Sequence, residues 1–249
     1  MKIAVVTGAS SGIGREFALQ ISRKYGKLDE IWLIARRKDL MQDLEKHLRV
    51  PVRIFAMDLT DDGDLNQFKE YLEELRPDIK LLVNSAGMGK IGRIDSQDVI
   101  EQADMIDLNC RALTIFTGLC LPYISTHSRI INMASAAGFS PQPNFAVYAA
   151  TKAYVLSYSR ALNVELKERK ITVTTVCPGP VDTEFFVVAG DSEGKSFKKN
   201  LRVPADKVVT QAIKDAALGN ELSIYGTIMK MAKGATKVLP QKAIMSIFK

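Results

Sequence analysis

Short apolar runs rich in β-branched residues alternate along the chain with longer stretches in which apolar positions recur every three or four residues. The runs at 3–6, 30–34, 52–56, 81–84, 129–133, 172–176 and 222–225 read as strands, because continuous apolar segments of that length suit a strand covered on both faces. Helical spacing covers 12–25, 38–48, 62–75, 98–121, 145–169 and 205–218. This regular alternation predicts an α/β fold: a doubly wound parallel sheet of about seven strands with helices on both faces. Ligands of such sheets bind beyond the carboxyl ends of the strands, so every residue just after a strand is a candidate for chemistry.

Composition narrows the picture. The 249 residues are 47% hydrophobic and 25% charged, with no low-complexity linker, which fits one globular domain. Within it, residues 1–190 are expected to form the core, and 191–249 to add the last helix–strand unit and a tail. The net charge of +6 raises nucleic acid as a partner, yet the cations interleave with acids, as in Glu73-Glu74-Leu75-Arg76, and read as solvated surface. The first strand begins two residues after Met1, which leaves no room for a secretory signal. The apolar stretch at 112–124 is interrupted by Thr114, Thr117, Gly118 and Pro122, short of the roughly 20 residues of a membrane span. Cys110, Cys120 and Cys177 lack C-x-x-C spacing and fit reduced core cysteines of a cytoplasmic protein.

The loop after the first strand, TGASSGIG at 7–14, carries two motifs. Gly8 to Gly12 spell G-x-S-x-G, the turn of a nucleophilic serine. That reading needs a base, and the two histidines, His47 and His127, lie in polar surface stretches. Read through to Gly14, the loop is a phosphate cradle: Gly8 permits the tight turn, Gly12 the close approach of a pyrophosphate, and Gly14 the packing of helix on sheet. Ser10, Ser11 and Ile13 then lie within reach of the same ligand. At the end of the second strand, where an acid would bind a free ribose 2′-hydroxyl, stand Arg36 and Arg37. Guanidinium groups there favour the 2′-phosphate of NADP, with Arg15 adding charge nearby. Asp58 and Leu59, after the third strand, are placed to meet the adenine.

Tyr148 and Lys152 stand four residues apart on one helix, one turn from each other. A phenol with an ordinary pKa of about 10 does acid–base work at neutral pH only if its environment helps, and the ammonium is a candidate helper. Ser135 follows the strand at 129–133, at the same end of the sheet.

With Asn84-Ser85-Ala86-Gly87, Asn109 and Pro178-Gly179, these residues resemble the short-chain dehydrogenase/reductase family over roughly residues 3–190. The resemblance implies a Rossmann-like single domain and a nicotinamide cofactor. It implies that Tyr148 exchanges a proton with the substrate oxygen, that Ser135 hydrogen-bonds the same oxygen, that Lys152 holds the nicotinamide ribose and lowers the tyrosine pKa, and that Asn109 supports a water in the proton relay. Asn84, Ala86 and Gly87 match the segment that stabilises the central strand and lines the cofactor site; Pro178, Gly179, Val181 and Thr183 match the segment beside the nicotinamide. The usual N-N-A-G has Ser85 at its second position. No metal is implied.

The same resemblance makes residues 1–190 a dinucleotide-binding core and 191–202 a mobile substrate lid. Met88, Phe139 and Phe145 favour a hydrophobic, acyl- or steroid-like carbonyl or alcohol as substrate. From 226 to 249 there are five lysines, Lys230, Lys233, Lys237, Lys242 and Lys249, and no acid. Such a tail can lie on an anionic membrane, but Gly234 and Pro240 divide it, and packing on its own domain or on a second subunit of a homo-oligomer is the favoured reading. The expectation is an NADP-dependent oxidoreductase. The alternative is a catalytically quiet NADP-binding regulatory or interaction protein, which would have no need of a tuned phenol.

Overall fold

The computed structural model describes residues 1–190 and 202–246. The strands are β1 Lys2–Thr7, β2 Glu30–Ala35, β3 Val52–Ala56, β4 Asp78–Asn84, β5 Ile124–Met133, β6 Thr172–Val176, β7 Val181–Asp182, β8 Val203–Pro204 and β9 Leu222–Ser223. Seven of them form one parallel sheet in the order β3-β2-β1-β4-β5-β6-β9, and β7 pairs with β8 in a small second ladder. The chain starts in the middle with β1, winds outward to β3, then crosses back to place β4 on the other side of β1. This reversal between β1 and β4 opens a crevice at their carboxyl ends.

The helices are α1 Gly12–Lys24, α2 Lys38–Glu45, α3 Asp62–Leu75, α4 Val99–Ile106, α5 Leu113–Cys120, α6 Ala146–Glu165, α7 Phe185–Val188, α8 Ala205–Ala217, α9 Thr227–Val238 and α10 Gln241–Ser246. Alternate residues of each strand serve opposite faces. Ala4, Val6 and Leu33 pack with Phe17 and Ile21 of α1 and Val209 of α8. Ile3, Val5 and Trp32 pack with Phe68 of α3, Phe116 of α5 and Leu162 of α6. Both faces are buried, which is why the strands read as continuous apolar runs.

The structure departs from the sequence pattern in three places. The helix expected over 98–121 is divided by a wide π-type turn, Asp107–Ala112. An inserted residue of that kind shifts the phase of the helix without altering its composition, so periodicity does not show it. The run at 222–225 contributes only the two-residue β9. The tail forms two helices: α9 runs straight through Gly234, and only Pro240, which has no amide hydrogen to continue the ladder, separates it from α10. Most of the expected lid, 191–201, lies outside the described residues, as does Lys249.

Candidate active site

A cleft of about 720 Å³ opens at the carboxyl ends of β1 and β4. Gly8, Ser10, Ser11, Gly12, Ile13 and Gly14 form one wall. Gly8 and Gly12 hold positive φ, 66° and 53°, which L side chains rarely adopt. A Cβ on Gly8 would sit 2.8 Å from the Ala86 nitrogen, so the β1 and β4 loops touch backbone to backbone. Thr7 secures that contact: its Oγ1 accepts from the Ser85 amide at 3.0 Å and the Ala86 amide at 3.1 Å. Ser11 precedes α1 without a side-chain capping bond, and the first turn carries no acid. The first amides of α1 are therefore left to an anion at the positive end of the helix dipole.

At the outer end of this wall, Arg37 Nη2 donates to Ser11 Oγ at 2.7 Å and to Ser10 Oγ at 3.3 Å. Its Nη1 lies 3.3 Å from Glu184 Oε2. Arg36 Nη1 is 3.5 Å from Asp58 Oδ2. Partial burial works against ionisation of Asp58, but hydrogen bonds from Thr60 and the charge of Arg36 outweigh it and hold the carboxyl below its ordinary range. Asp58 and Leu59 both line the cleft.

Tyr148 and Lys152 meet the inner end from α6. The Tyr148 ring stacks on Phe145 with centroids 4.3 Å apart and leans on Phe185 at 5.4 Å. Burial pushes the phenol up to about 12, while a hydrogen bond with Ser135 pulls it back in part. Ser135 Oγ also accepts from the Ala137 amide at 3.1 Å, which fixes the hydroxyl at the start of a short 3₁₀ helix, Ala136–Phe139. Lys152 Nζ donates to the Met133 carbonyl at 2.9 Å and lies 5.6 Å from the Tyr148 ring centroid. Burial lowers its pKa to about 8. A Cβ on Gly87 would come within 3.0 Å of Asn109 Oδ1 and 3.3 Å of Lys152 Nζ, so only glycine leaves these groups uncovered.

The family described as short chain dehydrogenase matches residues 2–193. The chain belongs to the short-chain dehydrogenase family. It is an oxidoreductase fold with a site for a nicotinamide cofactor. An uncharacterised oxidoreductase of Staphylococcus epidermidis is 31% identical over 214 residues, 85% of this chain and 89% of that one. A short-chain dehydrogenase of Sphingobium yanoikuyae, solved with NADPH, is 28% identical with a TM-score of 0.80 and covers 100% of this chain and 96% of its own. The bulky-bulky ketone specific alcohol dehydrogenase of Comamonas testosteroni is 25% identical with a TM-score of 0.76, covering 97% and 96%. Structures of this fold have been solved with NAD as well.

In this short-chain dehydrogenase most of the residues singled out in the sequence converge on one cleft, including Ala86, Gly87, Pro178, Gly179, Val181 and Thr183. Four do not line it. Asn84 spends its amide on Thr117 Oγ1 at 2.9 Å and Asn132 Oδ1 at 2.8 Å, and Asn132 continues to Ser159. It locks β4 to β5. Arg15 follows Gly14 on α1 and does not line the cleft. Asn109 is buried behind the cleft wall, and Ser135, half-buried, meets the site through its hydrogen bond with Tyr148. The π-type turn aims Asn109 inward, where its amide bonds both backbone groups of Met88 and Thr151 Oγ1. For Tyr148 itself burial is the dominant influence and raises the phenol, and the group that opposes it is Ser135. His47 and His127 are exposed and outside the cleft, so neither serves Ser10 as a base.

The tail supplies what no motif pointed to. Met229, Ala232, Ala235 and Thr236 of α9, with Leu239 and Ile244, complete the cleft wall. A Cβ on Gly179 would meet Met229 Sδ at 2.7 Å, so α9 rests directly on the Pro178-Gly179 segment. Met88, Phe139 and Phe145 face the same space.

Lys152 is 5% exposed, and its buried charge has a measurable consequence. Lys152→Met is expected to stabilise the cofactor-free protein at neutral pH by about 2 kcal/mol. Lysine is harder to protonate in the folded chain, at about 8, than at its ordinary 10.5. The penalty is full below the folded value and fades as the pH rises toward the ordinary one, so stability climbs with pH across that window. Thermal unfolding of both proteins from neutral pH upward should show their gap closing; a constant gap would mean that burial of the charge is not its cause.

Proposed function

We propose that the protein is an NADP-dependent oxidoreductase that moves a hydride between the nicotinamide and a ketone or secondary alcohol, with a hydrophobic, acyl- or steroid-like substrate. The observation that carries this is the position of Tyr148, bonded to Ser135, where the glycine-loop half of the cleft meets its apolar half. The glycine loop fits a dinucleotide pyrophosphate by the uncapped start of α1, which its glycines let pack directly against the β1 turn. The cofactor, when bound, supplies or accepts the hydride. The residues of the chain manage the proton. With its pKa raised, Tyr148 is fully protonated at neutral pH and serves as general acid toward a carbonyl oxygen, while Ser135 orients the phenol and shares that oxygen. Lys152, anchored on the Met133 carbonyl, keeps a donor beside the tyrosine. Asn109 holds Met88 and Thr151 in place around them.

Arg37, lying across Ser10 and Ser11, and Arg36 support NADP over NAD, as does the NADPH complex of the Sphingobium relative. The apolar wall, together with the bulky-ketone specificity of the Comamonas relative, supports a large hydrophobic carbonyl. Exposed Val99, Ile100 and Ile106 of α4 and Val164 of α6 support a homo-oligomer.

NADPH oxidation measured over 3-oxoacyl, steroid, quinone and sugar carbonyls is expected to favour the bulky apolar ketones. Turnover confined to sugars would overturn the substrate class, and no turnover with tight NADPH binding would favour the catalytically quiet reading. Neutralising both arginines, Arg36→Gln with Arg37→Gln, is expected to weaken NADPH binding about ten- to a hundredfold and NADH binding little, since only the 2′-phosphate loses charged hydrogen bonds. Equal losses in titrations with the two cofactors would sink the NADP preference.

A further inference from the structure

Helix α9 has two apolar sides. Met229, Ala232 and Thr236 turn toward the cleft. Ile228, Met231 and Val238, at spacings of three and seven, share the neighbouring side and stay exposed by 55%, 66% and 83% of their surface. At the cleft's edge, Leu239 and, on α7, Val188 both line the cleft and are still 47% and 64% exposed, with Val187 at 65%. Large apolar side chains thus gather beside the cleft and stay exposed there. Isolated exposed apolar residues are ordinary, but a stripe of them along one helix is a contact surface.

The charge around this stripe selects its occupant. Residues 226–249 contain five lysines and no Asp or Glu, and Lys230 and Lys242 are exposed. A second copy seated on this face by two-fold symmetry would bring the same lysine-rich, acid-free segment against itself. An anionic lipid surface accepts both parts: acyl chains take the apolar stripe, and headgroups take the ammonium groups of long side chains that reach past it. The continuity of α9 through Gly234 gives the stripe the rigid length such contact needs. No described helix is long and apolar enough to cross a membrane, so the contact is one of lying on the surface.

We propose that the outer face of α9, with Leu239, Val187 and Val188, docks this protein on anionic membranes, and that docking sets the apolar cleft against the lipid from which its substrate is drawn. The second clause rests on the hydrophobic-substrate reading above; the docking itself does not.

The full-length protein is mixed with phosphatidylcholine vesicles, with and without added phosphatidylglycerol, and the vesicles are sedimented. Binding is expected only with the anionic lipid, and it should fall as salt rises. Ile228→Ser with Met231→Ser and Val238→Ser is expected to reduce the partition coefficient roughly a hundredfold. Lys230→Gln with Lys242→Gln is expected to reduce it about tenfold or more. None of these five side chains lines the cleft, so oxidation of NADPH with a water-soluble ketone should be unchanged in both variants, which also shows that they fold. Equal sedimentation of wild type and the triple variant would overturn docking through this face, as would absence of binding to anionic vesicles. A dimer that forms without lipid and is broken by the triple variant would assign the face to a second copy instead. Vesicle binding is read without turnover, so a failed substrate screen leaves the docking result standing, and loss of docking leaves the substrate class standing. Delivery from the lipid is tested by loading an apolar ketone into the anionic vesicles: its turnover should fall in the triple variant while that of the soluble ketone does not, and parallel rates would overturn it.

Discussion

Tyr148→Phe is expected to leave NADPH affinity within about twofold of the wild type and to lower turnover by about three orders of magnitude. The ring sits between Phe145 and Phe185, with centroids 4.3 and 5.4 Å away, and phenylalanine fills that slot without loss of stacking. What disappears is one hydroxyl, the partner of Ser135 and the proton source for a substrate oxygen. Because burial pushes the phenol up to about 12, the acid form persists through the physiological range, and carbonyl reduction should show no tyrosine titration below alkaline pH. Cofactor titration by fluorescence with single-turnover kinetics separates the two effects. Retained turnover would remove Tyr148 from the chemistry; a parallel loss of NADPH binding would mean that the phenol holds the cofactor and does not deliver the proton.

Gly14→Ala is expected to cost about 3 kcal/mol of stability and most of the NADPH affinity. The backbone of Gly14 is ordinary helix, so the penalty does not come from strain in φ. The added methyl would collide with the Gly8 carbonyl, its carbon 2.7 Å from the Cβ, and neither group belongs to a flexible side chain. Relief requires moving the start of α1 off the β1 turn, which is the geometry that aims the helix amides at a phosphate. Chemical denaturation and NADPH titration of the same sample check both halves. A stable variant that still binds NADPH would show that the loop and helix slide apart freely.

The fold was largely legible in the pattern of apolar residues. Ile3, Val5, Trp32 and Leu82 alternate with Ala4, Val6 and Leu33 as buried residues on the two faces of one sheet, and a sheet covered twice writes itself as unbroken apolar runs. The glycine loop was legible for a similar reason: Gly8, with φ at 66° and its Cβ space filled by Ala86, admits no other residue comfortably. Tyr148 and Lys152 were legible because helical spacing fixes which side chains share a face.

Other parts were written nowhere in the local sequence. Asn84 and Asn109 look alike as asparagines among apolar neighbours; only strand pairing gives Asn84 to Asn132, and only the π-type turn gives Asn109 to Met88. Glu184 stands 147 positions from Arg37, and their ion pair exists because two loops end at the same edge of the cleft. Lys152 as a depressed lysine depends on how completely α6, β5 and the Gly87 loop enclose it.

The chain by itself determined the alternation of strand and helix, the cradle after β1 and the one-turn pairing of phenol and ammonium, since these rest on backbone stereochemistry and short-range periodicity. Tertiary structure alone decided that the tail walls the cleft, that its outer apolar stripe stays exposed, and that burial sets the pKa values of Tyr148 and Lys152. Exposure, desolvation and the contacts of distant segments depend on what the rest of the chain packs around a residue, and no window of sequence contains that.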